Sequence, residues 1–88
     1  TDTIEHATNN ATHLTVWIYN YGETDIEALV YATKNNNTYS PDTQDPIQIS
    51  TQTIVNSTIT IPLSSGDRVG IKVYTVRQNN VFYSYIAK

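Results

Sequence analysis

Cysteine and methionine are absent from the 88 residues, and lysine and arginine together number only five. Each shortage excludes something. Without cysteine there is no disulfide to brace the fold and no thiolate site for a metal. Five scattered cations and a formal net charge of −3 leave no basic patch to neutralise phosphates, so nucleic acid is not an expected partner. No run of residues approaches the ~20 apolar positions of a membrane span, and no secretory leader is visible. Because the chain opens at Thr1 and contains no Met, it reads as a fragment or a processed form, with any membrane anchor cut away.

What is present is Thr, Asn, Ser and Tyr, with charged residues at 15%. Eighty-eight residues make one domain. A chain of this size buries only about 60–65% of its unfolded surface, and small domains without staples lean on oligomerisation. Three sequons occur, at Asn10, Asn36 and Asn56, each in or beside an expected loop or outward strand position, and all three are candidate glycosylation sites. The lack of Cys and Met suits an oxidising or hot environment, although the many Asn and Gln residues do not fit simple thermophile composition.

The pattern is β throughout. In the closing stretch, Gly66 to Ala87, the residues Val69, Ile71, Val73 and Thr75 alternate with Arg68, Gly70, Lys72, Tyr74 and Val76. A side-chain period of two sends these sets to opposite faces of a sheet. Gln78-Asn79-Asn80 interrupts the run and Val81 to Ile86 resumes it, which predicts an antiparallel hairpin at the centre of a sheet. Upstream, residues 1–12 are polar and without period; they read as a leader or stalk, with an edge strand at Thr3-Ile4-Glu5. Residues 13–88 form the single domain. His13 to Tyr21 is a strand with Leu14, Val16 and Ile18 inward and Thr15, Trp17, Tyr19 and Tyr21 outward. A turn at Asn20 to Glu23 follows, with Gly22 expected to take a positive φ. Asp25 to Thr33 is a strand with Ile26, Ala28, Val30 and Ala32 on one face, and Lys34 to Asp45 a long loop. Ile47 and Ile49 form a short edge strand after Pro46. Thr51 to Ile61 is another strand, with a bulge expected near Asn56. The result is an all-β, immunoglobulin-like antiparallel β-sandwich of six to seven strands. Its core comprises Leu14, Val16, Ile18, Val30, Ile59, Ile61, Val69, Ile71 and Val73, without a Cys–Trp–Cys centre.

Little of this resembles an active site. There is no nucleophile elbow, phosphate loop or dinucleotide fingerprint, and a sandwich this small has little room for a cleft between two carboxylates. No enzymatic activity and no cofactor are expected. His6 and His13 read as exposed loop histidines, since a third ligand is missing; Glu23, Asp25 and Glu27 read as a solvated face and not as a cation site, so no metal is expected. The outward aromatics are open to two readings. They either pair across strands to stabilise the sheet or form an exposed stripe that docks a protein or a glycan.

The stretch VWIYNYGETDIEALVYA resembles the first hairpin of archaeal surface-appendage proteins, a strand ending in Asn-x-Gly followed by an Ile-led strand. ITIPLSSGDRVGIKVYTVRQNNVFYSYIA is similar to their closing strands, with a Gly-Asp-x-Val-x-Ile-x-Val-x-Thr strand, an Asn turn and a Tyr-rich last strand. Together they cover more than half of the chain. The family is the archaellin-like β-sandwich, which includes the archaellum filament protein and its accessory proteins F and G. The resemblance implies a non-enzymatic, extracytoplasmic stator domain at the cell surface, G-like before F-like, anchored in the full protein by an N-terminal helix missing here. It implies self-assembly, contact with a sibling accessory protein and contact with the surface layer. Candidate contact residues are Trp17, Tyr19, Tyr21, Tyr74 and Val76, all opposite expected core positions. The alternatives are a carbohydrate-binding module that uses the aromatic face, and a pilin or archaellin subunit.

Overall fold

A computed structural model describes residues 2–41, 47–75 and 80–88. Eight strands follow one another: β1 (Asp2–Asn9), β2 (His13–Asn20), β3 (Ile26–Lys34), β4 (Asn37–Tyr39), β5 (Ile47–Ile49), β6 (Ile54–Thr60), β7 (Arg68–Thr75) and β8 (Asn80–Ile86). They build two antiparallel sheets. One has three strands in the order β1-β2-β6; the other has five, β4-β3-β7-β8 with β5 also paired to β3. There is no helix among the described residues.

Alternation decides which side chains meet between the sheets. In β2 every second residue, Leu14, Val16, Ile18 and Asn20, is fully buried. Val69, Ile71 and Val73 of β7 and Ala28, Val30 and Ala32 of β3 face them from the other sheet's inner side. Every residue expected in the core is buried, and Ile4, Ile49, Leu63, Tyr85 and Ala87 complete it. Branched aliphatic side chains dominate because they pack well on a pleated, half-buried surface.

Five details depart from the sequence reading. There are eight strands, not six or seven, because the expected loop after Lys34 begins with a tight hairpin. Asn35 and Asn36 both take positive φ (51° and 66°) and join Lys34 to Asn37 across two residues, a geometry that Asn tolerates better than most residues. The edge strand expected at Thr3 to Glu5 extends over Asp2–Asn9 and pairs along the length of β2, so this polar stretch is built into a sheet. Its period is masked by a bulge between Ile4 and His6, which shifts the inward positions by one residue. No register shift occurs near Asn56, where the bulge was expected; β6 pairs evenly with β2 from Thr60 to Ile54.

The segment read as a first hairpin is a crossover. β2 pairs β1 and β6, β3 pairs β4, β5 and β7, and the turn between them carries the chain from one sheet to the other. Gly22 has no positive φ; Gly66 is the glycine that does, at 93°. The turn is made instead by Asn20, whose side-chain Oδ1 accepts the Gly22 N–H at 3.0 Å, an Asx-type closure. The hairpin expected in the last quarter is present as β7-β8, with β7 inside its sheet and β8 at the edge. Val76 and the first two residues of its expected turn lie outside the described residues, as do residues 42–46.

Candidate functional site

With the core closed, surface chemistry is confined to the two outer sheet faces, their edges and the loops. On the three-stranded sheet the antiparallel register sets out three lateral rows. They are Thr3-Tyr19-Ile54, His6-Trp17-Asn56 and Thr8-Thr15-Thr58. Trp17 is half-buried, and His6 stacks on its indole with ring centroids 4.4 Å apart and planes 10° from parallel. Tyr19 and Tyr21 pack at 6.3 Å, and Tyr21 is 51% exposed. Ile54, 49% exposed on the edge strand β6, continues the apolar surface beside Tyr19.

The five-stranded sheet carries the second aromatic group. Tyr31 and Tyr74 meet edge-on at 5.8 Å, and Lys72 Nζ lies 4.7 Å above the Tyr74 ring, a cation–π placement. The neighbouring Phe82 ring lies over Gly70; a Cβ there would stand 3.2 Å from Phe82 Cζ. Glycine therefore lets the ring lie close against the strand. These side chains, with Thr33 and Thr38, line a shallow depression. Phe82 is 68% exposed, and Ile86, four positions further along β8 in the same phase, is 60% exposed.

The structure therefore divides the candidate contact residues. Trp17, Tyr19 and Tyr21 share one face or its end, and Tyr74 lies on the opposite side of the sandwich. Val76 is outside the described residues. Sequence reasoning missed Phe82, Ile86 and Ile54. The phase of β8 was the available signal: Val81, Tyr83 and Tyr85 point to the core, so Phe82 and Ile86 must point out. A run apolar at nearly every position conceals that phase.

The three sequons occupy different settings. Asn10 is folded into the β1–β2 turn, its Oδ1 accepting from Thr12 N (2.9 Å), Thr12 Oγ1 (3.2 Å) and His13 N (2.8 Å). Asn36 sits at the tip of the β3–β4 hairpin. Asn56 is exposed in the middle of β6, directly opposite Trp17.

Polar contacts elsewhere fasten the ends of the sandwich. Asn20 Nδ2 donates to the carbonyls of Thr24 (2.9 Å) and Ile49 (3.1 Å). At the opposite end Asn9 Oδ1 accepts from Tyr85 Oη at 2.5 Å and from Lys88 N at 2.9 Å, tying β1 to the chain's last strand. Burial, then the neighbouring Tyr83, pushes the Tyr85 phenol above its ordinary value. Asp67 accepts the Ser64 N–H at 2.8 Å and pairs with Lys34 at 3.0 Å; these contacts, the backbone one first, hold its carboxyl below the usual range. Lys34 Nζ also donates to the Pro62 carbonyl. Two of the acidic side chains near the crossover are similarly occupied. Glu27 accepts from Gln48 Nε2 at 2.9 Å, and Asp25 accepts from Thr51 N at 3.0 Å. Among the described residues no three His, Asp or Glu side chains gather as metal ligands.

A three-plus-five antiparallel sandwich with aromatics on both outer faces defines an immunoglobulin-like domain. No protein-family model matches the chain, and no curated protein matches its sequence. Solved structures do. The archaellum periplasmic stator protein FlaG from Sulfolobus acidocaldarius superposes with a TM-score of 0.76 at 20% identity, over 97% of this chain and 98% of that one. The archaellum periplasmic stator protein complex of FlaF and FlaG from the same organism matches with a TM-score of 0.74 at 23% identity, over 96% of this chain and 87% of that one. The chain shares the fold of these two structures over nearly its full length.

Proposed function

We propose that the chain is a non-enzymatic, extracytoplasmic stator domain of an archaeal motility filament, G-like before F-like. The observation that carries this reading is the end-to-end match to FlaG, with no large insertion in either chain, joined to the Gly-Asp-x-Val-x-Ile strand of the closing segment. A stator resists torque, so its work is to hold other proteins. On this reading the domain does so through its outer aromatic faces: Trp17, Tyr19 and Tyr21 on one, Tyr74 with Phe82 on the other. Val76 extends the second group in sequence. Partners are further copies of the chain, a sibling accessory protein such as the FlaF found with FlaG, and the surface layer. In the full protein an N-terminal helix would anchor the domain in the membrane.

Large exposed aromatics support the reading, since a domain of this size gains nothing in stability from leaving Phe82 in water. The test is sedimentation velocity over a wide concentration range, alone and with the sibling protein, for the natural chain, Trp17→Lys and Phe82→Lys. Assembly that disappears in one variant while the fold survives locates the contact face. Unaltered sedimentation of the natural chain at all concentrations and with each partner would sink the proposal.

A further inference from the structure

The sequon at Asn56 has a structural companion that those at Asn10 and Asn36 lack. Asn56 and Trp17 are direct lateral neighbours on adjacent strands, and such side chains begin roughly 5 Å apart. His6, the β1 neighbour of Trp17, stacks on the indole with nearly parallel planes. On the other side of Trp17 the lateral neighbour is Asn56 of β6, which is exposed. From there an N-linked sugar would begin beside the half-buried indole, one face of which His6 covers. Pyranose rings present C–H groups that pack on the electron-rich face of an aromatic ring.

The position also answers a liability of the fold. β6 is the last strand of its sheet, and its exposed Ile54 adds an apolar side chain to an open edge. Open, apolar edges invite pairing with other chains, and proteins cover them. A bulky, hydrated group at the middle of this strand would block that pairing. Thr58, the hydroxyl residue of the sequon, lies on the same outer face beside Thr15, 3.4 Å away between hydroxyl oxygens.

We infer that Asn56 is an N-glycosylation site whose first sugar packs on the face of Trp17 opposite His6 and shields the β6 edge. The inference rests on the extracytoplasmic placement proposed above, and it narrows the partner surfaces of that reading wherever Asn56 is modified. With Asn56 modified, the Trp17 row is occupied by glycan, and contacts with protein partners fall to the face bearing Tyr74 and Phe82.

Trp17 is the sole tryptophan, so its fluorescence reports on this site alone. The chain is secreted from a eukaryotic host that transfers N-linked oligosaccharide, mapped by glycopeptide mass, and compared with Asn56→Gln and with Thr58→Ala, which removes the sequon but keeps Asn56. The expected result is a glycopeptide at Asn56 that both variants lose. Acrylamide quenching of Trp17 should be about half, or less, in the modified chain, since both ring faces are then covered. Removing Asn36 by Asn36→Gln should leave the quenching unchanged. An unmodified Asn56, whichever other sequon carries sugar, overturns the inference. So does a modified Asn56 with quenching equal to that of the variants. Neither outcome bears on sedimentation with partners, so failure here is distinct from failure of the stator reading.

Discussion

Asn20 is the most consequential polar residue in the molecule. It is fully buried, and its side chain makes three hydrogen bonds that join β2, the crossover turn and β5. Its backbone adds two more, to Thr53 and Gln52. Asn20→Ala would leave one N–H and two carbonyls without partners where water cannot easily replace them. The expected loss is about 3 kcal/mol, read as a lower denaturant midpoint at unchanged slope. Ser57 is the converse. Its hydroxyl is buried opposite Val16 with no hydrogen-bond partner among the described residues. Ser57→Ala should therefore raise stability by roughly 0.5–1 kcal/mol, measured by the same titration, because an unpaired buried hydroxyl is costly and a methyl group is not. The substitution leaves the Asn56 sequon intact.

Two titrations follow from the same local contacts. The folded-state pKa of Asp67 is depressed, so its contribution is fully present above its ordinary value near 3.8 and disappears as pH falls through the lower folded value. Asp67→Asn should flatten the acid limb of a stability-against-pH curve. Tyr85 behaves oppositely. Its raised value means that its contribution is complete below its ordinary value near 10.0 and is lost as pH rises through the folded one. Tyr85→Phe should flatten the alkaline limb, while giving up the hydrogen bond to Asn9.

Among the elements, the turns distinguish themselves by backbone geometry. Gly66 holds φ at 93° in the turn before β7, with open space around it. The objection to a side chain there is thus conformational and not steric crowding by neighbours. Gly66→Ala should destabilise the fold by about 1–2 kcal/mol, visible as a lower melting temperature. Strands β2, β3 and β7 were legible because each alternates cleanly, with aliphatics on one side only or nearly so. β1 was not, because a single extra residue at Glu5 breaks the period midway. β4 was hidden in an Asn-rich stretch that reads as loop by composition, although two left-handed Asn residues are what a two-residue hairpin turn requires. β8 was seen as a strand, but with apolar residues at most positions its outward Phe82 and Ile86 did not announce themselves.

At the level of the whole molecule, the domain is long and narrow, 38 × 20 × 19 Å, with aromatic groups on both broad outer faces. Phe82→Lys should change the unfolding free energy by less than about 1 kcal/mol, since the ring is largely exposed, yet abolish any assembly that uses the Tyr74 face. The same substitution tests whether the Tyr74 face, and not the Trp17 face, serves partners once Asn56 carries sugar.

Sequence by itself determined the phases of β2, β3 and β7, and through them the fold class and much of the core. The reason is local: a period of two assigns each side chain to a face wherever one face is apolar. It also placed Trp17, Tyr19 and Tyr74 outward on the same ground. Only the tertiary structure decided which strands lie side by side. That choice separates β2 from β3 into different sheets, puts Tyr74 on the far side of the sandwich from Trp17, and sets Asn56 opposite the one indole. Strand partners are chosen by long-range closure of the two sheets over a shared core, and no pattern within a single strand carries that information.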